Sequence, residues 1–330
     1  MVNWGTNSQS VDLSDNQLTS MNWEGAPESL KKVDLDRNQI TSMNWKDAPQ
    51  SLHTVYLNGN QITSMNWEGA PKSLHTVYLG GNQITTEGLN WKGAPQSLCI
   101  VYLDSNQLTS LNWEGAPKSL DIVLFNMNQI TTEGLNWEGA PQSLRYVYLH
   151  DNPITSMNWK GAPQSLHTVN LGGNQITTEG LNWEDAPKSL YTVCLSSNQI
   201  TSMNWKGAPK SLHTVYLSSN QITSMNWKGA PQSLNTVYLS SNQITTEGLN
   251  WEGAPKSLYV GEFQYEFIAY KNAYIIQRMY LRRYTKRRMA AIKITNGCHN
   301  WVWKPKCKDG SMGIRLRLDT QELFPGIYLS

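Results

Sequence analysis

The sequence predicts a repeat solenoid built from short strands and extended, turn-like return segments. Three observations lead there. The pattern Leu-x-x-Val-x-Leu-x-x-Asn-x-Ile-Thr, followed by Asn-Trp-x-Gly-Ala-Pro-x-Ser, recurs eleven times between residues 9 and about 260. Its framing asparagines (Asn16, Asn38, Asn60, Asn82, Asn106, Asn128, Asn152, Asn174, Asn198, Asn220 and Asn242) are 22 or 24 residues apart, a period that belongs to stacked units. No single copy can hold itself together. The second offers five apolar side chains, Leu30, Val33, Leu35, Ile40 and Met43. Burying them yields on the order of 10 kcal/mol, whereas ordering the backbone costs roughly 1–2 kcal/mol per residue. Only a stack, in which each copy covers the next, closes that gap.

Within a copy, Thr-Val-Tyr-Leu (54–57, 76–79, 214–217, 236–239) is β-branched and aromatic and alternates in and out. It reads as a short strand with Val and Leu inward and Thr and Tyr outward. The Asn that follows ends the strand, because turn backbone satisfies both sides of a buried amide. The Gly-Ala-Pro-x-Ser stretch has no helical period and carries a proline, so it returns as extended or turn-like chain. Four copies lengthen the stretch before Trp to Thr-Thr-Glu-Gly-Leu (85–89, 131–135, 177–181, 245–249), read as a loop insertion bulging on the return side.

The motif Leu52-x-x-Val55-x-Leu57-x-x-Asn60-x-Ile62 resembles the leucine-rich repeat family. That resemblance implies a curved horseshoe with a parallel sheet on its concave face and Asn side chains bonded to turn backbone. The Trp-x-Gly-Ala-Pro return resembles the short, proline-containing types, with no helix on the convex side. Residues 1–263 form this solenoid, including a degenerate twelfth turn at Ser257–Leu258. At the other end only seven positions separate Trp4 from Val11, where full copies need ten. A poorly capped first turn that self-associates or frays is therefore expected.

Charge divides the chain. Residues 1–263 hold 14 Lys/Arg against 21 Asp/Glu, a net −7, and residues 264–330 hold 13 against 4, a net +9. An acidic body with a basic tail points to an acidic partner for the tail: nucleic acid, an acidic protein, or the solenoid itself. The residue after each Trp alternates in sign, from Glu24 and Lys46 to Lys228 and Glu252, in eight of ten neighbouring pairs, and reads as an exposed charge ladder that helps set the stack. No apolar run follows Met1, no stretch approaches a membrane span, and no Asn-x-Ser/Thr sequon occurs among four scattered cysteines. An intracellular, reduced location is expected.

The sheet face is the candidate binding surface. Its central outward position is Tyr56, Tyr78, Tyr102, Tyr148, Tyr216 and Tyr238, a ladder that suits strands and interfaces alike. Where the copies diverge, Ile100, Ile122, Leu124, Met127, Arg145, Tyr146, Tyr148 and His150 replace consensus residues. Drift produces such divergence, and so does recruitment of a hot spot, whose chemistry is apolar, aromatic and Arg. His53, His75, His167 and His213 share one repeat position without further metal ligands and read as exposed strand-entry residues.

From Gln264 to Ile292 neither Pro nor Gly occurs, which predicts a helix. Ile268, Ile275 and Met279 fit a cap over the last core layer. Arg278, Arg282, Arg283, Lys286, Arg287 and Arg288 form a basic patch suited to an acidic protein or nucleic acid. The segment from Ile276-Gln277 to Lys286 resembles a calmodulin-binding IQ motif with Leu281 where Arg is usual. Cys298, His299 and Cys307 make at most a partial zinc set. Cys307-Lys308-Asp309 resembles the Cys-x-Asp of bacterial repeat-bearing ubiquitin ligases, but the tail is too short for their catalytic domain. Residues 276–310 as a whole are similar to endings of repeat proteins from Marseillevirus-type large DNA viruses, which implies a protein of the infected cell or particle. No nucleophile–base pair, phosphate loop or cofactor motif is visible. The expected function is a non-enzymatic interaction scaffold that binds a protein ligand on its concave face.

Overall fold

The computed structural model describes residues 4, 8–245, 248 and 250–261. The chain divides into two units, Met1–Phe263 and Gln264–Ser330. The expected cap helix, the basic residues from Arg278 to Arg288, the IQ-like segment and the Cys298/His299/Cys307 group all lie outside the described residues.

Twelve three-residue strands form one parallel sheet in chain order. They are β1 (Ser10–Asp12), β2 (Lys32–Asp34), β3 (Thr54–Tyr56), β4 (Thr76–Tyr78), β5 (Ile100–Tyr102), β6 (Ile122–Leu124), β7 (Tyr146–Tyr148), β8 (Thr168–Asn170), β9 (Thr192–Cys194), β10 (Thr214–Tyr216), β11 (Thr236–Tyr238) and β12 (Tyr259–Gly261). Register is strict, with each Val beside the next: Val55 pairs with Val77, Val77 with Val101, and Val237 with Val260. The sheet edges stay short because Leu and Asn follow at once and turn the chain inward. Leu30, Val33, Leu35 and Ile40 are fully buried, as are their counterparts from Leu52 to Leu239.

The framing Asn performs the expected work across repeats as well as within one. Asn174 Nδ2 donates to the carbonyls of Leu149, Leu171 and Gly172, each at 3.0 Å, while its Oδ1 accepts the Ile154 N–H at 3.1 Å. One side chain thus closes its own turn and the preceding one. The residue just before each Asn takes a left-handed backbone, among them Arg37 (φ 54), Ser105 (φ 56), Met127 (φ 54) and Ser219 (φ 57). Gly adopts it most easily, Asn and Asp at smaller cost than other residues. The return path is a pair of turns, with Ala48 N–H on the Trp45 carbonyl and Leu52 N–H on the Pro49 carbonyl. Gly69 at φ 77 and Gly93 at φ 84 take the third place of the first turn, where a positive φ is required.

Curvature follows from unequal spacing on the two sides. On the return side, seven pairs of successive Trp rings, including the run from Trp4 to Trp91, stack 5.8–6.4 Å apart, inclined by 6–17°. On the sheet side, stacked Tyr rings are 4.2–4.6 Å apart. Neighbouring strands sit about 4.8 Å apart. A unit wider at its Trp than at its strand bends the stack toward the sheet, so the strands line the concave side. The indole N–H groups from Trp4 to Trp205 also reach the next repeat, as Trp67 Nε1 does to the Asn90 carbonyl at 2.7 Å.

Two sequence expectations are refined. The insertion in the 24-residue copies is a turn with Glu87 and Glu133 exposed, and it also bonds to its neighbours. Gly88, Gly134, Gly180 and Gly248 turn their carbonyls back to accept the N–H of Met65, Leu111, Met157 and Met225 in the preceding repeat. Thr132 Oγ1 reaches forward and accepts from Thr155 and Ser156 N–H at 2.9 and 3.1 Å. The insertion therefore fastens three repeats together. A Cβ at Gly134 would collide with the Thr109 carbonyl oxygen. Gly134→Ala is expected to destabilise by about 1–3 kcal/mol through overpacking, readable as a lower urea midpoint. Gly25→Ala, whose Cβ would meet only Trp4 at 3.7 Å, serves as the comparison for left-handed strain alone.

The alternating charges after Trp form no ion pairs. Among the described residues the ion pairs are Arg37–Asp15 and Arg145–Asp121, both on the sheet side. Long solvated side chains beside the Trp lose more by being ordered than exposed pairing returns. At the first turn, Trp4 continues the indole stack, 6.0 Å from Trp23, and is buried. The shortened lead-in thus covers the Trp side of the first layer, while Val11, Leu13 and Leu18 remain half-exposed.

Candidate protein-binding face

Each repeat projects residues from the same few positions onto the concave face, so side chains form columns that run across the strands. The central column holds Tyr56, Tyr78 and Tyr102, stacked at 4.5 and 4.2 Å, and farther along Tyr216 and Tyr238 at 4.6 Å. These rings are half-buried by one another, and so less outward than the alternation alone implies. They present edges and hydroxyls, with their faces covered. The Tyr78 hydroxyl is pushed up to about 12 by burial first and by Tyr102 second. Burial also raises Tyr216.

Between the two runs the column is interrupted. Leu124 lies between Tyr102 on β5 and Tyr148 on β7. Ile100, Ile122 and Tyr146 are likewise consecutive along the neighbouring column. The divergent residues are thus one contiguous surface over β5–β7. Met127 stands at its edge, 57% exposed, on a backbone of φ 54. An exposed, unbranched apolar residue at a strained position serves neither core nor turn, so fold stability does not explain it. Beside it, Asn126 is 8% exposed and its Oδ1 has no hydrogen-bond partner. His150 is half-buried, its Nδ1 3.4 Å from Asn170 Nδ2.

Arg145 has an exposed side chain that is already paired within the face. Its guanidinium grips Asp121 through two bonds of 2.6 Å and lies 5.5 Å from the Tyr146 ring centre. The Asp121 carboxylate raises the Arg145 pKa further. Asp121 and Arg145 occupy the same position in consecutive repeats, so listing that column in the sequence would have found the pair.

The same column holds a second aromatic stripe that sequence reasoning missed. His167, Tyr191 and His213 stack at 5.0 and 4.5 Å, with Tyr146 tilted against His167 at 5.8 Å. Tyr191 is 37% exposed. At the other end, His53 and His75 stack at 4.7 Å, and burial, then His75 and Lys32, hold the His53 pKa down. The histidines are therefore packing elements more than free strand-entry groups. No three His, Cys, Asp or Glu converge as a metal set among the described residues. Cys99 and Cys194 are half-buried free thiols on the same face.

The family model described as Leucine Rich repeat matches residues 70–89, 162–181 and 230–249. The array has the leucine-rich repeat fold. Solved structures with leucine-rich repeats superimpose on most of it. YopM from Yersinia enterocolitica WA-314 is 22% identical with a TM-score of 0.54, over 76% of this chain and 50% of that one. This chain thus spans half the length of that protein. FLRT2, in an octameric complex of Latrophilin 3, Unc5D and FLRT2, gives 21% identity and a TM-score of 0.57, over 76% and 88% of the two chains. The functional domain of InlJ from Listeria monocytogenes gives 17% and 0.53, over 80% and 61%. No curated protein matches in sequence. Among the described residues, no helix is long and apolar enough to cross a membrane.

Proposed function

We propose that this leucine-rich repeat chain is a non-enzymatic scaffold that binds a protein ligand on its concave face, centred on β5–β7. The observation that carries the reading is the break in an otherwise uniform array. There the stacked tyrosines give way to an apolar step of half-buried Ile122 and Leu124 and exposed Met127 beside Tyr148, with a buried acceptor left unpaired. Interfaces draw their affinity from a few such anchors. The assembly of FLRT2 with Latrophilin 3 and Unc5D, in which the leucine-rich repeat part is one component of a protein complex, supports a protein as the ligand.

Partner capture by the full chain, followed by titration of the captured protein, tests this. Tyr148→Ala is expected to weaken binding by more than about 1–2 kcal/mol. Tyr238→Ala, a matched change within the stacked run, is expected to do far less. Equal losses would place binding along the whole ladder, and no loss at either would move it off this face.

A second reading rests on the charge division, −7 in residues 1–263 against +9 in 264–330. Arg278, Arg282, Arg283, Lys286, Arg287 and Arg288 would engage an acidic protein or nucleic acid. Binding that falls steeply with salt and vanishes on deleting residues 282–330 supports it. The likeness of residues 276–310 to endings of viral repeat proteins supports, on the same footing, a role in an infected cell or particle.

A further inference from the structure

The β5–β7 face is short of hydrogen-bond donors. Asp104, Asn126 and His150 follow one another in a single column, fixed by Ser105 N–H on the Asn126 carbonyl at 2.9 Å and Met127 N–H on the His150 carbonyl at 3.0 Å. The Asp104 carboxylate takes part in no ion pair or side-chain hydrogen bond among the described residues. Neither does that of Asp151, one position further along beside Met127. Between them lies the buried Asn126 Oδ1 without a donor. The equivalent amide elsewhere is satisfied, since Asn58 Oδ1 accepts the Gly80 N–H at 2.9 Å. The cation of this region, Arg145, is already held by Asp121. The surface therefore offers two uncompensated carboxylates about 10 Å apart across two strand spacings and an apolar floor of Leu124 and Met127, with the orphan acceptor buried beneath them.

We propose that this face takes a basic peptide segment, an apolar side chain on Leu124 and Met127 with a Lys or Arg on each side. This rests on the reading that the β5–β7 face binds protein, and it names the chemistry of the partner. Cationic groups supply the donors that Asp104 and Asp151 lack, whereas an acidic segment or a nucleic-acid backbone would meet like charge. The apolar anchor supplies contact area, and the flanking charges set which sequences are accepted.

The test uses the full chain and three fluorescein-labelled peptides of about twelve residues, alternating Lys–Leu, Glu–Leu and Ser–Leu, read by fluorescence anisotropy at about 0.15 M salt, where long-range attraction is screened. The Lys–Leu peptide is expected to bind and the Glu–Leu peptide to fail. Asp104→Asn combined with Asp151→Asn is expected to weaken Lys–Leu binding at least about tenfold, in line with paired charges at an interface. Asn is well tolerated at the left-handed Asp151, so the fold is kept. The same charge change at Asp12→Asn with Asp34→Asn, on β1 and β2, is expected to shift it less than about twofold, as screened distant charges do. Equal losses in the two double variants, equal binding of Glu–Leu, or no binding of Lys–Leu would each overturn the basic-partner proposal. Binding of Ser–Leu or Glu–Leu that Leu124→Ala abolishes would overturn it while leaving the face as a protein-binding surface.

Discussion

Replacing Asn174 with Ala is expected to destabilise the array by about 3–5 kcal/mol, more than any change on its outer surface. Four backbone groups depend on that side chain: the carbonyls of Leu149, Leu171 and Gly172 and the N–H of Ile154. Ala leaves them buried without partners, at roughly 1–3 kcal/mol for each group that water cannot reach. Because the bonds span two repeats, the loss weakens an interface as well as a turn. Asn16 provides the internal comparison. It is exposed, and its side chain donates only to the Ser14 carbonyl at 2.8 Å. Asn16→Ala is expected to cost less than about 1 kcal/mol, the net worth of one ordinary bond. Urea unfolding of the two variants beside the parent decides it, and comparable midpoints for both would show that the Asn ladder does not hold the stack.

Trp67→Ala is expected to cost about as much, roughly 3–5 kcal/mol, for a different reason. The ring is 1% exposed, lies between Trp45 and Trp91 at 6.4 and 6.3 Å, and donates to the Asn90 carbonyl at 2.7 Å. Ala opens a cavity bounded by rigid turns, which cannot collapse into it, and orphans a carbonyl in the next repeat. Trp67→Phe retains most of the volume and loses the N–H, so the difference between the two variants separates packing from hydrogen bonding. A Trp67→Ala protein that melts like its parent would mean the return side contributes little to cohesion.

These expectations rest on features of unequal visibility in the sequence. The strands were legible because Thr-Val-Tyr-Leu combines β-branching with strict alternation, and the observed β3, β4, β10 and β11 fall on it. The Asn role was legible from chemistry, since a buried amide must be satisfied. The left-handed residue before each Asn was not. Its identity varies among Asp, Arg, Gly, Ser and Met, so no residue type announces it. The Thr-Thr-Glu-Gly-Leu segment looked like a loop because a length change carries no sign of what it packs against. Gly134 gave the one hint, a residue with no room for a Cβ beside Thr109. On the concave face, Leu124 and Met127 were visible as departures from the consensus. The Arg145–Asp121 pair and the His167–Tyr191–His213 stripe depend on neighbours 22 to 24 residues away and emerge only when each repeat position is read down its own column.

The indole stack has an optical consequence. Rings held about 6 Å apart and inclined by 6–17° are strongly coupled chromophores. Excitation absorbed by one should hop along the row before it is emitted. The native protein should therefore emit depolarised light even when immobilised, and show near-ultraviolet circular dichroism bands that no isolated tryptophan has. Both signals would fade repeat by repeat as the stack opens, so unfolding of this array can be followed along its length without any added label.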